Sequence, residues 1–236
     1  MPDAHTSDDP DASPGIWPYA LPYLGFAAVL ALRDVAPDGA GTTLAALAQV
    51  AVPGGLLLYF GWFRGAYPEL ARQAQGRLAW LPDVGVGLSI AALWVGPYLL
   101  FPGLPRPAAD PAALDPAALA LRFVGFALVT PFMEELFVRS FLLRFLDVFD
   151  TDADFRSVPI GRFAWRSFIG TVLWFTVTHQ AWEWIVALPT GIVFNLWLYR
   201  RRRMGSLVLT HAVANGAIFA LVLLAGPDHP ELWTFL

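Results

Sequence analysis

Long apolar runs recur along almost the whole chain, and they constrain its fold more than any other feature. Seven runs can be read from the sequence: 17–32, 43–63, 84–101, 119–146, 168–179, 182–199 and 206–225. A transmembrane helix needs about 20 mostly apolar residues to cross roughly 30 Å of hydrocarbon. Hydrophobic residues make up 57% of the chain and charged residues only 14%, which leaves too little polar surface for a soluble domain. We therefore predict an all-α, multi-spanning transmembrane helix bundle of about seven helices, within a range of six to eight.

Four consecutive regions follow from composition. Residues 1–14 are acidic and rich in Pro, Ser and Asp, which is typical of a disordered tail. This segment lacks the positive n-region of a secretory signal, so we expect no cleaved leader. We assign N-terminal transmembrane spans to 15–118, a core formed by the last four helices to 119–226, and a short C-terminal tail to 227–236.

Arginine determines the predicted orientation, because the chain has no lysine. Eleven arginines lie in alternate connections, at 64, 72, 77, 144, 156, 162, 166 and 200–203, whereas the other connections hold three, at 33, 106 and 122. The positive-inside rule then places the arginine-rich loops and the N-terminus in the cytoplasm. The lysine-free, alanine-rich composition is typical of a GC-rich bacterial genome, so we expect the bacterial cytoplasmic (inner) membrane.

A small set of polar residues interrupts the apolar runs: Glu134, Glu135, Arg139, His179, Asn195, His211 and Asn215. Ionisable groups inside a membrane are costly, face the bundle interior and mark functional sites. We interpret Asn195 as an interhelical hydrogen-bonding residue. Glu183, which lies between two tryptophans, is interpreted as an interfacial residue of an aromatic belt. The absence of cysteine excludes thiol catalysis, disulfides and thiolate metal sites.

Helical geometry separates the two adjacent glutamates. Glu135 and Arg139 are four residues apart, so they share a helix face and can form an ion pair. Glu134 points about 100° away around the same helix and has no such local partner. We therefore predict a structural role for Glu135 and a chemical role for Glu134.

The histidines provide the remaining polar groups at comparable depth. His211 and Asn215 are also four residues apart and share one face of the last helix. At about 1.5 Å per residue, the depths from the predicted cytoplasmic ends are roughly 18 Å for Glu134, 20 Å for His179 and 10 Å for His211. These depths allow one shared cavity between the middle of the membrane and its cytoplasmic side.

Each pattern taken alone has an ordinary structural explanation. An EExxxR sequence is most often an exposed salt bridge, and a buried histidine is usually a hydrogen-bonded packing residue. The combination is more informative, because it places a carboxylate, two imidazoles and an amide on separate apolar segments. Those groups are the set needed to activate a water molecule and to stabilise an oxyanion.

Three short sequences resemble the motifs of a known family. EELFVR at 134–139, FTVTH at 175–179 and HAVAN at 211–215 are similar to the EExxxR, FxxxH and HxxxN motifs of the CPBP intramembrane proteases. That family includes the type II CAAX prenyl endopeptidases and bacteriocin-processing or immunity relatives. The resemblance covers about 119–225, and the overall layout also resembles a bacterial branch of CAAX prenyl protease-related proteins that is associated with exosortase systems.

The resemblance implies that 119–226 is a catalytic core that hydrolyses a peptide bond in a membrane cavity open to the cytoplasm. Glu134 and His179 would activate the attacking water. His211 and Asn215 would hold the carbonyl oxygen as it becomes an oxyanion. Glu135 and Arg139 would support the site structurally. The expected partners are the lipid bilayer and a membrane-bound or lipidated protein or peptide substrate, with no nucleic acid.

The sequence is compatible both with a metal-free site and with a site that holds a divalent metal. The family has been called metalloprotease, and Glu134, His179 and His211 could hold zinc with an open position for water. A metal-free glutamate mechanism fits the same residues. The sequence slightly favours the metal-free mechanism, because it has no HExxH helix and asparagine is a poor zinc ligand.

Two functions of other classes compete with a protease. One is a non-catalytic scaffold or immunity protein that retains the motif framework. The other is a proton-coupled transporter that uses Glu134 and the histidines as a relay. The transporter hypothesis predicts repeated halves with broken helices. No repeat is visible in this sequence, and the set of polar residues is confined to the C-terminal spans. This distribution favours the enzyme over the transporter.

Overall fold

The computed structural model describes residues 15–34, 42–71, 76–107 and 116–236; the tail predicted at 1–14 lies outside them. The described residues contain seven long helices and several short 3₁₀ turns, and they contain no strand. The helices are α1 (Trp17–Asp34), α2 (Thr42–Leu58), α3 (Leu81–Leu100), α4 (Pro116–Leu146), α5 (Trp165–Val177), α6 (Trp184–Arg201) and α7 (Met204–Ala225). The predicted all-α, multi-spanning bundle is confirmed.

Five of these helices are long and apolar enough to cross a membrane. The five spans are Thr43–Phe63, Leu81–Leu100, Pro116–Leu146, Ala181–Arg201 and Met204–Ala225. The helices that correspond to the other two predicted runs fall short of a full span. The apolar part of α1 is Trp17–Leu32, and α5 has 13 residues, which cover about 20 Å of a hydrocarbon layer roughly 30 Å thick.

Helix α4 is continuous but contains two π-helical segments. It is π-helical at Gly125–Val129, α-helical at Thr130–Glu134, and π-helical again at Glu135–Leu142. Pro131 lies between the two π-helical segments and has no N–H to donate to the preceding turn. Such π segments occur frequently at functional sites. Here they place Glu134 and Glu135 on either side of a junction between the two helix types.

Helices α5 and α6 form a hairpin whose turn carries polar groups. The turn is a 3₁₀ segment, Ala181–Glu183, in which the side chains of Gln180 and Glu183 cap each other's backbone N–H groups. The indole N–H of Trp184 donates to the carbonyl of His179 at 3.1 Å. His179 is therefore held at the tip of this hairpin, just beyond the end of α5.

Helices α3 and α7 approach each other closely at Gly87. A methyl group added to Gly87 would lie 2.6 Å from the carbonyl oxygen of Thr210 and 2.8 Å from Cβ of Val213. Small residues at such positions allow backbones to approach closely in membrane bundles. Gly87 thus sets the distance between these two helices.

Charged residues connect the elements at the arginine-rich end of the bundle. Arg201 of α6 pairs with Asp83 of α3 at 2.9 Å, and Arg144 of α4 pairs with Glu69 at 3.4 Å. At the opposite end, the segment Pro230–Phe235 forms a 3₁₀ turn that folds back on the bundle. The predicted C-terminal tail thus contributes buried packing surface.

Candidate active site

One cavity inside the bundle is lined by the four residues for which sequence analysis predicts catalytic roles. Glu134, His179, His211 and Asn215 all face a space of about 90 Å³. Its remaining wall is mainly apolar and includes Trp94, Phe126, Phe175, Phe194 and Phe235. The structure therefore brings together groups from α4, α7 and the α5–α6 turn, whereas their chemical roles stay a prediction.

The two adjacent glutamates face different surroundings. The side chain of Glu134 is 18% exposed, and its Oε2 lies 4.0 Å from Nε2 of His211. The side chain of Glu135 is fully buried and pairs with Arg139 at 3.2 Å. The predicted ion pair is confirmed, and Glu134 is the glutamate that lines the cavity.

Glu135 has a second partner that sequence spacing did not indicate. Its Oε1 accepts a hydrogen bond from Nδ1 of His211 at 2.8 Å, across 76 residues of sequence. Because a carboxylate only accepts, this contact places a hydrogen on Nδ1 and directs Nε2 of His211 toward Glu134. Glu135 thus orients the imidazole in addition to balancing the charge of Arg139.

A buried hydrogen-bond network continues from Arg139 to two further helices. Its Nε donates to Oδ1 of Asn195 at 3.3 Å. The Asn195 amide in turn donates to the hydroxyl of Thr171 at 2.8 Å. These contacts join α4, α5 and α6, which confirms the predicted interhelical role of Asn195.

Aromatic rings enclose the same guanidinium. Arg139 lies over the Phe175 ring at 4.6 Å and over the Phe194 ring at 5.2 Å from the centroid. Phe175 also contacts the His179 ring, with 4.5 Å between ring centroids. Cation–π attraction in a desolvated site is worth about 2 kcal/mol or more. The phenylalanine of FTVTH thus packs between the arginine and the histidine.

A backbone carbonyl holds one ring nitrogen of His179. Its Nδ1 lies 2.6 Å from the carbonyl oxygen of Phe175. A carbonyl oxygen only accepts, so Nδ1 carries a hydrogen and the neutral ring keeps its lone pair on Nε2. The Trp94 ring packs against the imidazole with 5.2 Å between centroids. This geometry leaves Nε2 as the ring atom that can take part in acid–base chemistry.

Asn215 makes a backbone contact that follows from Pro131. The N–H of Thr130 donates to the carbonyl of Gly125 in the π pattern. The next bond of that pattern would run from residue 131 to the Phe126 carbonyl, but proline has no N–H. The Asn215 amide donates to this carbonyl instead, at 2.8 Å. One amide hydrogen of Asn215 therefore fixes α7 against α4, and the other is left for the cavity.

Glu183 also lies in the cavity wall, which the sequence analysis did not predict. Its interpretation as an interfacial residue stays a prediction. Its spacing of four residues from His179 was the signal that could have identified it. Thr130 and Thr190 also line the cavity and were not predicted.

The proposed metal ligands do not form a metal site in this geometry. Within residues 15–34, 42–71, 76–107 and 116–236, no three His, Asp or Glu side chains are grouped closely enough to hold an ion. The bond from His211 to Glu135 uses Nδ1 and leaves Nε2 as the ring nitrogen that faces Glu134.

Fold and site together define an integral membrane protein with a cavity among its helices that carboxylates, imidazoles and an amide line. Residues 116–217 match the Rce1-like family, described as Type II CAAX prenyl endopeptidase Rce1-like. This match confirms the resemblance to CAAX-type intramembrane proteases, and it includes Glu134, His179, His211 and Asn215. No curated protein and no solved structure shows significant similarity to the chain. The resemblance to the exosortase-associated branch stays a prediction.

Proposed function

We propose that the chain is an intramembrane endopeptidase that hydrolyses a peptide bond of a membrane-bound or lipidated protein. The observation that carries this proposal is the convergence of Glu134, His179, His211 and Asn215 on one cavity within the family-matched region. Their groups are a carboxylate, two imidazoles and an amide, which suffice for general acid–base chemistry and oxyanion binding.

The first step is the activation of water. Glu134 accepts one proton of a water molecule, and Nε2 of His179 accepts a hydrogen bond from the other. The water oxygen then attacks the carbonyl carbon of the substrate and forms a tetrahedral intermediate. Partial exposure of the Glu134 side chain, 18%, gives that water access to the carboxylate.

The second step is the stabilisation of the oxyanion. The free amide hydrogen of Asn215 donates to the developing negative oxygen. Nε2 of His211 also donates when the ring is an imidazolium, which Glu135 holds through Nδ1 at 2.8 Å. Loss of one such donor typically lowers kcat by about 10²–10³-fold.

The third step is the collapse of the intermediate. The proton held by Glu134 passes to the amide nitrogen, the C–N bond breaks, and a carboxylic acid and an amine form. Transfer of the acid's proton to the amine gives the released carboxylate and ammonium groups. The aromatic wall around Trp94 and Phe194 excludes bulk water, so that the electrostatic contacts act in a medium of low dielectric constant.

Product analysis of reconstituted protein tests this proposal. Purified protein in liposomes is mixed with a library of single-span peptides, with and without a lipid anchor, and the products are identified by mass spectrometry. We expect internal cleavage of at least one peptide. Binding of a peptide without cleavage would instead support the non-catalytic scaffold, and flux of protons without cleavage would support the transporter.

The same assay separates the two cofactor alternatives. We expect full activity after treatment with a chelator and no stoichiometric metal in the active protein. Activity that disappears with the chelator and returns with zinc would establish the metalloprotease alternative built on Glu134, His179 and His211.

A further inference from the structure

Glu183 differs from the other acidic residues of the five candidate spans. Those spans contain four acidic residues, and three of them face a basic group in the pairs Asp83–Arg201, Glu135–Arg139 and Glu134–His211. Glu183 makes no ion pair with any residue that the structure describes. Its carboxylate accepts a hydrogen bond from the backbone N–H of Gln180 at 3.0 Å. A carboxylate within a membrane span that lacks a counter-ion in direct contact is costly and marks a functional site.

The surroundings of Glu183 suit a positively charged ligand. Glu183 and Glu134 line the same cavity, and no arginine is among the described residues of its wall. Trp94 and Phe235 present aromatic rings to the same space. Carboxylates attract a cation directly, and aromatic rings bind one through their π faces.

We propose that Glu183 binds a cationic group of the peptide substrate inside the cavity. This inference rests on the proposed peptidase function and adds a substrate preference to it. The cation is a protonated amine or a guanidinium, and a peptide can supply it in two ways. One source is a Lys or Arg side chain beside the scissile bond, and the other is the amino group of the fragment that leaves.

The position of Glu183 fits both sources. It lies four residues after His179 in the turn that forms one wall of the cavity, while Glu134 and His211 approach from α4 and α7. Electrostatic interactions connect Glu183 with both His179 and Glu134. A peptide whose scissile bond lies between Glu134 and His179 therefore places an adjacent cation within reach of Glu183.

The capping role of Glu183 can be separated from its charge. Glutamine is the other residue that closes a capping box at this position. Glu183→Gln therefore keeps an acceptor for the Gln180 N–H and removes only the negative charge. Glu183→Asp keeps the charge on a shorter side chain. Glu231→Gln is a matched control, because it makes the same chemical change at a residue outside the candidate spans.

A binding measurement tests the side-chain source without requiring turnover. Two single-span peptides that differ by Lys or norleucine beside the candidate cleavage position are titrated against Glu134→Gln protein in nanodiscs. We expect the lysine peptide to bind about 10-fold more tightly, as for one charge-assisted hydrogen bond. The preference should disappear when Glu183→Gln is added, and should persist with Glu183→Asp or Glu231→Gln.

Product inhibition tests the leaving-amine source. The amine fragment of a cleaved peptide and its N-acetylated form are added to the cleavage assay of the otherwise unaltered protein. If Glu183 holds the leaving amine, the free amine inhibits more strongly than the acetylated form, and Glu183→Gln abolishes the difference. If Glu183→Gln changes neither the lysine preference nor this difference, while thermal unfolding shows a folded protein, the cation site is wrong.

The two measurements also separate this inference from the peptidase function. Absence of cleavage with every peptide contradicts the peptidase, whereas the titration still reports on the charge preference of the cavity. If cleavage depends on Glu134 but neither measurement shows an effect of substrate charge, only the role assigned to Glu183 is contradicted.

Discussion

At the scale of single residues, Glu135 connects the catalytic proposal to the stability of the bundle. It is fully buried and shares one oxygen between Arg139 and His211. Its other oxygen, Oε2, and Nη2 of Arg139 have no hydrogen-bond partner among the described residues. Such a buried pair contributes little net stability, but removing one partner leaves an uncompensated charge.

Arg139→Met should therefore be strongly destabilising. The change leaves Glu135 charged and buried, and we expect a loss of about 3–5 kcal/mol in the free energy of unfolding. Denaturant unfolding in detergent measures it. Arg200→Met is the matched control, because Arg200 is exposed and should change stability by no more than about 0.5 kcal/mol. Equal effects of the two changes would contradict the structural role of the buried pair.

The sequence could predict local residue pairs but not the distant ones. Spacing of four residues was enough to predict the Glu135–Arg139 pair, because both residues lie on one helix. The bond from His211 to Glu135 spans 76 residues, and the bond from Asn215 to Phe126 spans 89. Such contacts depend on how helices pack, and helix periodicity does not determine packing.

At the scale of elements, the irregular helix α4 and its contact with α7 shape the site. The sequence did not indicate the two π segments, because these depend on which carbonyl groups find partners outside the helix. It also indicated seven apolar runs, and the fifth corresponds to α5, which is only 13 residues long. His179 therefore lies in a turn, where it was expected within a span.

Pro131 and Asn215 should be energetically coupled. Pro131→Ala restores an N–H that can reach the Phe126 carbonyl, so that the Asn215 amide has to share this acceptor. We expect Asn215→Ala to destabilise the protein less in the Pro131→Ala background, with a coupling energy of about 1 kcal/mol. A double-mutant cycle measured by unfolding gives this value. Additive effects would refute the explanation for the Asn215 contact.

Gly87 should tolerate no side chain. A methyl group there meets the carbonyl oxygen of Thr210 at 2.6 Å, so Gly87→Ala separates α3 from α7. We expect a loss of about 1–3 kcal/mol from this overpacking, seen as a lower Tm. At Gly85 an added methyl meets no atom within 4 Å. Gly85→Ala should therefore be neutral or stabilising, and a similar loss at both positions would disprove the close approach.

At the scale of the whole molecule, the hydrophobic composition was sufficient to predict a membrane-embedded helical bundle. Five helices meet the length and hydropathy of a span, and the C-terminal region carries the family match. The orientation in the membrane rests on arginine distribution alone and stays a prediction. It places the arginine-rich loops in the cytoplasm.

Cysteine labelling tests that orientation without background, because the chain has no cysteine. Ser157→Cys lies in an arginine-rich connection and Gly103→Cys in the connection that follows α3; both positions are exposed. In intact cells with a permeable outer envelope, an impermeant thiol reagent should label Gly103→Cys and spare Ser157→Cys. Inside-out vesicles should give the reverse. Labelling of Ser157→Cys in intact cells would indicate the opposite topology.

The central claim is that Glu134 performs chemistry in the cavity, and one comparison tests it most directly. Cleavage of the best library peptide is measured for the protein in liposomes, for Glu134→Gln and for the control Glu231→Gln. We expect Glu134→Gln to lower kcat by at least about 10²-fold, as for the loss of a general base, with unchanged thermal unfolding and full activity in the control. Equal cleavage rates for Glu134→Gln and the unaltered protein would contradict the account.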